Sequence, residues 1–302
     1  MSEPETPTRC GYVAVIGAPN AGKSTLTNQI VGAKISIVTP KVQTTRGRVT
    51  AIAMVDRAQL VFVDTPGIFA PKRRLDRAMV EAAWVGARDA DQVVAMIDAT
   101  QGLDRQASAI LEALAQINGR KILALNKVDL VKPAMLLALS EAANKQAGFN
   151  ATFMISALAG DGVADLAADL ARHAPEGPWL YPEDQLADMP ERLLASEVTR
   201  EKLFLQLQQE LPYALTVETE SWEERPDGAV KINQVIYVGR DSQKAIVLGH
   251  KGARIKQIGQ ASRIELAEFL GRPVHLFLFV KVRPNWSDDP ERYRAMGLDY
   301  TD

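Results

Sequence analysis

The run Gly17-Ala18-Pro19-Asn20-Ala21-Gly22-Lys23-Ser24, with Thr25 next and the apolar Val13-Ala14-Val15-Ile16 before it, has residue types and spacing that could hold phosphates. Glycines let the backbone turn so that successive amides face the β- and γ-phosphates, and the helix expected after the loop offers its positive N-terminus. Lys23 adds a point charge and Ser24 a ligand for Mg²⁺. Asp64-Thr65-Pro66-Gly67 follows the apolar "LVFV". Asp64 can hold the water shell of magnesium, and Gly67 can give its amide to a γ-phosphate. Asn126-Lys127-Val128-Asp129 closes another apolar run. A carboxylate at Asp129 can accept from N1–H and the 2-amino group of guanine; adenine has neither donor and would leave the carboxylate unpaired. Lys127 can lay its stem along the base, Asn126 can tie this loop to the phosphate loop, and a backbone amide of Ser156-Ala157-Leu158 can reach the guanine O6. The chemistry so specified is GTP binding.

These loops need a scaffold that brings successive strand ends together. From Tyr12 to about Ala174, short aliphatic runs ("YVAVIG", "VTAIAMV", "AQLVFVD", "QVVAMID", "KILALN", "ATFMIS") alternate with segments of helical period. Such alternation predicts an α/β domain, a mixed but mostly parallel sheet with helices on both faces. Asp56-Arg57 is short enough for a hairpin, so one antiparallel edge strand is expected.

Composition sets the outer bounds. The 302 residues are 47% hydrophobic and 24% charged, a globular mix long enough for two domains. No apolar stretch approaches the ~20 residues of a membrane span, and the start lacks a signal-peptide pattern. Cys10 stands alone, which excludes an internal disulfide and fits a reducing, cytoplasmic compartment. The net charge of -2 says nothing about nucleic acid; any basic surface must be local.

After Ala174 the proline-rich "PEGPWLYPEDQLADMPE" has no period and reads as a linker. Beyond it an α+β half follows, with Gly249-His250-Lys251-Gly252 between "AIVL" and "ARIKQIG". This pattern resembles the KH domain, type II-like, whose Gly-x-x-Gly loop clamps about four nucleotides. The glycines admit a sugar-phosphate backbone, Lys244, Lys251, Arg254 and Lys256 supply countercharge, and Ile246, Leu248, Ile255 and Ile258 are expected to floor a base groove. The expected division is a flexible tail over 1–10, a G domain over 11–175, a linker over 176–190, a KH domain over 191–285 and a polar tail, short of core residues, over 286–302.

The quartet of loops resembles the translation-factor class of GTPases. In that class a threonine after the first helix completes the Mg²⁺ shell; "QTTR" offers Thr44 and Thr45, with Thr45 favoured. Residues 34–48 would be switch I and residues 64 to about 84 switch II. Ras-like enzymes place a water-orienting glutamine after the Asp-x-x-Gly turn, whereas this chain has Ile68, so hydrolysis should be slow unaided. Related GTPases with an apolar residue there use an asparagine to bind K⁺, a role that falls to Asn20. Lys23, Thr45, Gly67 and Asn20 are thus the expected catalytic set. One G domain followed by one KH domain, with "REKLFLQLQQELPYALTVE", "VHLFLFVKV" and "NWSDDPERYRAMGLDY", resembles the Era family of bacterial GTPases. The resemblance implies binding to 16S ribosomal RNA near its 3′ end, assistance to 30S subunit maturation, a monomer, and peripheral association with the inner membrane. Der-type GTPases carry two G domains, and MnmE-like ones a reactive carboxy-terminal cysteine; neither fits. A module in which GTP only locks an RNA-binding conformation is the non-enzyme alternative.

Overall fold

The computed structural model describes residues 7–41, 44–47 and 49–300. They form two units, one reaching Asp188 and including the chain from Tyr293, the other spanning Met189–Arg292. Residues 1–6 of the expected tail, and residues 42, 43 and 48 of the expected switch I, lie outside the described residues.

In the first unit the strands are β1 (Arg9–Gly17), β2 (Val49–Val55), β3 (Ala58–Asp64), β4 (Gln92–Asp98), β5 (Arg120–Asn126), β6 (Ala151–Ile155) and β7 (Ala187–Asp188). The helices are α1 (Lys23–Val31), α2 (Arg74–Asp89), α3 (Arg105–Leu114), α4 (Pro133–Ala147) and α5 (Val163–His173). The sheet order is β6-β5-β4-β1-β3-β2-β7. β1, β3, β4, β5 and β6 run parallel, and β2 is antiparallel to β3. The central strands are apolar nearly throughout because helices cover both faces and water reaches neither. Since β1 lies between β3 and β4, the loop after it opens at the point where the chain order reverses, the usual binding crevice of such sheets.

Three expectations change. β1 starts at Arg9 rather than Tyr12, because Arg9, Cys10 and Gly11 pair with Ala58, Gln59 and Leu60, so residues 9 and 10 are strand and not tail. β2 is not the edge, since Ala187 and Asp188 pair with it. The linker's start is fixed too: buried Gln59 accepts from the Leu180 and Tyr181 amides at 2.9 and 3.0 Å and donates to the Tyr181 carbonyl at 2.9 Å. A segment without hydrophobic period is thus held by polar bonds to its backbone, which a periodicity argument cannot see.

The second unit has α6 (Glu191–Gln206), β8 (Leu215–Glu224), β9 (Val230–Val238), α7 (Asp241–Leu248), α8 (Ala253–Leu270) and β10 (Val274–Val282). Its sheet order is β10-β9-β8, with β9 and β10 parallel and β8 and β9 antiparallel. Leu203, Leu207, Leu215, Ile236, Val247, Ile258 and Val280 form one cluster of its core, and Ala195, Val198, Val230, Ile232, Leu266 and Val274 another. Ile258 is fully buried there and therefore does not floor a groove. The polar tail is better packed than expected. Trp286 is buried and donates to the Ala214 carbonyl at 3.1 Å, and Arg292 is buried with its guanidinium 4.6 Å from the Tyr237 ring centre. Tyr293 and Leu298, in the first unit, are also buried.

Candidate nucleotide and nucleic-acid sites

The carboxyl ends of β1, β3, β5 and β6 converge on a cavity of about 470 Å³. Its walls include Asn20, Gly22, Lys23, Ser24, Thr25, Thr45, Gly67, Asn126, Lys127, Asp129, Ser156, Ala157 and Leu158. Ala21 and Asp64 are not among its lining residues but are buried directly behind it. The volume suits a small-molecule ligand with several polar anchors.

Asn126 joins three loops. Its Nδ2 donates to the Ala21 carbonyl at 2.7 Å and its Oδ1 accepts from the Ala157 amide at 2.9 Å. That approach dictates a glycine at 22, where φ is +102° and an added Cβ would lie 2.3 Å from Asn126 Nδ2. Gly22 also starts α1, whose first amides point at the cavity.

The hydroxyls and Asp64 meet at one point. Ser24 Oγ donates to Asp64 Oδ2 at 2.8 Å, and Thr45 Oγ1 lies 3.0 Å from Ser24 Oγ and 3.4 Å from the same carboxylate oxygen. Thr44 is occupied elsewhere, donating to the Lys41 carbonyl at 2.7 Å. An all-oxygen set of two hydroxyls and a carboxylate has the donor chemistry of a hard divalent cation. Lys23 Nζ donates to the Gly17 and Ala18 carbonyls at 3.2 and 3.0 Å. Burial pulls its pKa down to about 8 despite the opposing charge of Asp64. Burial likewise pushes the Asp64 carboxyl up, only partly offset by neighbouring hydroxyls and Lys23. A phosphate beside Lys23 and a cation beside Asp64 would each favour the charged form.

Asn20 has φ +62° and donates from Nδ2 to the Pro40 carbonyl at 3.0 Å, so it braces the segment expected to be switch I. Ile68 is buried among Ile16, Ala83 and Ile110, away from the cavity. Two contributors escaped the sequence reading. Asp98, ending β4, accepts from Lys127 Nζ at 2.6 Å. Burial acts upward on its carboxyl, but the bonds from Lys127 and Thr100 outweigh burial and hold it below the usual range. Asn28 on α1 accepts from the Ile35 and Ser36 amides at 2.8 Å each, setting the start of the switch segment. An Asp at a strand end beside the Asn-Lys-x-Asp loop was a readable signal; Asn28 had none.

In the second unit the Gly-x-x-Gly turn joins α7 to α8. The sequence shows "AIVL" only as an apolar run, and it is the end of a helix. Gly249 has φ +71° and an added Cβ would fall 2.7 Å from Arg254 Cβ; Gly252 has φ +78° and starts α8. His250, Lys251 and Lys256 are exposed, and Lys244 is half-buried. Arg254 is partly engaged, donating to the Ile246 carbonyl at 2.6 Å. Leu248 and Ile255 are half-buried against the core, and Ile246 is half exposed.

Comparison with known proteins places these features together. Residues 12–127 match the model of the 50S ribosome-binding GTPase family, and residues 210–287 that of the KH domain. The chain is 63% identical over 295 residues to GTPase Era of Brucella suis biovar 1 (strain 1330), covering 98% of this chain and 95% of the relative. It is 64% identical over 297 residues to GTPase Era of Mesorhizobium japonicum, covering 98% and 96%. Among solved structures, an Aquifex aeolicus Era variant bound to GDP and AlF4⁻ superposes with a TM-score of 0.91 at 38% identity, over 98% of this chain and all of the other. Era in complex with MgGDPNP and nucleotides 1506–1542 of 16S ribosomal RNA gives 0.91 at 39%, with the same coverage.

Proposed function

The chain belongs to the Era family of GTPases, and on that premise we propose that it binds and hydrolyses GTP with Mg²⁺, binds 16S ribosomal RNA near its 3′ end through the Gly-x-x-Gly turn, and assists 30S maturation. The observation that carries the nucleotide half is the bridging of three loops by Asn126, beside the cluster of Ser24, Thr45 and Asp64. Asp129 selects guanine, and Ser24 and Thr45, with Asp64 behind them, hold magnesium, which supplies charge neutralisation at the β- and γ-phosphates. Gly67 gives its amide to the γ-phosphate. Lys23 sits where its ammonium can leave the Gly17 and Ala18 carbonyls for that phosphate.

For the RNA half, the support is the relative solved with 16S nucleotides and superposing over 98% of this chain, together with exposed His250, Lys251 and Lys256 around a turn that brings backbone close to a ligand. Lys244, Gly249, Gly252, Arg254 and Ile255 complete the surface. Nucleotide state gates RNA binding in this reading, and the protein works as a monomer in the cytoplasm. No described helix is long and apolar enough to cross a membrane, so association with the inner membrane is proposed as peripheral.

Because Ile68 is turned into the core and cannot orient water, K⁺ held by Asn20 is proposed to offset charge developing between the β- and γ-phosphates. Turnover should be faster in potassium than in sodium, with the difference lost in Asn20→Ala; identical rates in both salts would remove K⁺ from the mechanism. The RNA half is tested with a single-stranded RNA copied from the 3′ end of 16S rRNA, with the protein loaded with GDPNP or GDP. Tighter binding in the GDPNP form is expected, and equal binding in both would leave no nucleotide gate.

A further inference from the structure

The turn carrying Gly67 is pinned on both sides by bonds that none of the sequence motifs announces. Upstream, Thr65 Oγ1 donates to the Val15 carbonyl at 2.9 Å. Downstream, the Ile68 amide donates to the Gly17 carbonyl at 3.0 Å, and the Ile68 carbonyl accepts from Gln106 Nε2 at 2.6 Å. The atom facing that carbonyl must be the amide nitrogen, because the other side-chain atom of glutamine has no proton to give. Between the two pins lie only Pro66, whose φ is fixed by its ring, and Gly67. Gly67 has little room of its own: an added Cβ would stand 2.9 Å from Pro19 Cα.

Gln106 is itself held firmly. It is the second residue of α3, whose start is capped by Asp104 accepting from the Ala107 amide at 2.7 Å, and whose Ala107, Ile110 and Leu111 are buried. With the Ile68 side chain committed to the core, what this turn can offer a ligand is the direction of its backbone, held from β1 through Val15 and Gly17 and from α3 through Gln106.

We propose that Gln106 is a positioning residue for triphosphate recognition: its bond to the Ile68 carbonyl keeps the Gly67 amide aimed at the γ-phosphate, favouring GTP over GDP. The inference rests on the reading of Gly67 given above. GDP has no γ-phosphate, so its affinity is independent of this bond.

The test is Gln106→Glu in the full chain, with GDPNP and GDP titrated separately in the presence of Mg²⁺ from pH 5 to 8. The substitution keeps the shape, but an ionised carboxylate only accepts, leaving the Ile68 carbonyl unpaired and facing negative charge. GDPNP affinity should fall about 5- to 20-fold at pH 7.5, the scale of one partly buried acceptor left unsatisfied, with GDP affinity unchanged within twofold. Relative to the unsubstituted protein, the loss should shrink as pH falls and protonation restores a donor. Gln106→Leu should show the same selective loss without that recovery. Equal losses for GDPNP and GDP, or no loss for either, overturn the proposal. Gly67→Ala separates the two ideas. If it lowers GDPNP relative to GDP affinity while the Gln106 variants do not, only the role of Gln106 fails. If it leaves the ratio untouched, the reading of Gly67 fails and the inference falls with it.

Discussion

The two candidate sites are built on opposite principles. In the first unit Asn20, Asp129 and Leu158 are exposed, but the groups around them are buried or half-buried and several are fixed by another: Asn126 by Ala21 and Ala157, Lys127 by Asp98, Thr45 by Ser24 and Asp64. In the second, the Gly-x-x-Gly turn is fixed by backbone conformation at two glycines, and His250, Lys251 and Lys256 stand in solvent. A site that must distinguish one purine from another needs preorganised, desolvated partners, because an unmade bond in such a place is costly. A site that grips a sugar-phosphate chain needs close approach and charge, and its side chains are free to adapt. Perturbation should therefore be steep and salt-tolerant at the first site, and shallow and salt-sensitive at the second.

The largest effect is expected at Asp129. Asp129→Asn replaces an acceptor pair with an amide that can no longer receive both guanine donors, and GDP affinity should fall by about 10³-fold or more. The same variant should gain affinity for the xanthine nucleotide, whose 2-oxo group accepts from the new amide. Titration with fluorescent GDP and XDP measures both, and a change of less than tenfold for GDP would mean that guanine is read elsewhere. Next comes Asn126→Ala, which removes two bonds and leaves the Ala21 carbonyl and Ala157 amide to find other partners. A loss of about 2–3 kcal/mol, or some 30- to 150-fold in GDP affinity, is expected. Neither variant should alter RNA binding by nucleotide-free protein, which sharpens the contrast between the sites.

At the second site, His250→Asp with Lys251→Asp should weaken single-stranded RNA binding by about 10- to 100-fold at low salt, and by progressively less as salt rises. Removing the Lys251 contact alone should flatten the slope of log K against log salt by about 0.7. A loss that did not depend on salt would show that the turn acts through shape rather than charge, and would break the contrast. Nucleotide affinity should not move.

What could be read from the sequence divides along the same line. The phosphate loop, the Asp-Thr-Pro-Gly turn and the Asn-Lys-Val-Asp loop were legible because each combines special residue types with a position at the end of an apolar strand. The Gly-x-x-Gly turn was legible from its glycines and flanking charges. The braces were not. Asn28, Gln59 and Gln106 act by bonding a side chain to main chain that lies seven or more residues away, and a polar residue aimed at a distant backbone has the same local signature as one aimed at water. Helix α7 was hidden for another reason, since eight residues with a four-residue apolar run do not separate helix from strand. Ile258 was misplaced because period alone fixes which residues share a helix face and not whether that face meets the core or a ligand.

The smallest effect is expected at Asp98, and it tests whether bracing at the first site extends beyond the groups that touch nucleotide. Asp98→Asn keeps the shape, but with the amide oxygen accepting from Thr100 its NH2 faces Lys127 and cannot accept, so the charge-assisted bond to Lys127 is lost. Lys127 would still line the cavity, with its stem less firmly held, and GDP affinity should fall only about three- to tenfold. The carboxyl sits below its ordinary range when folded, so the stabilisation it contributes is present above the unfolded carboxylate pKa and is lost only as pH falls through the lower folded value. Between pH 6 and 8 the ratio of affinities for unsubstituted protein and Asp98→Asn should therefore be flat, and it should close towards one only in more acidic solution. A ratio that changed between pH 6 and 8 would mean that some group other than this carboxylate sets the position of Lys127.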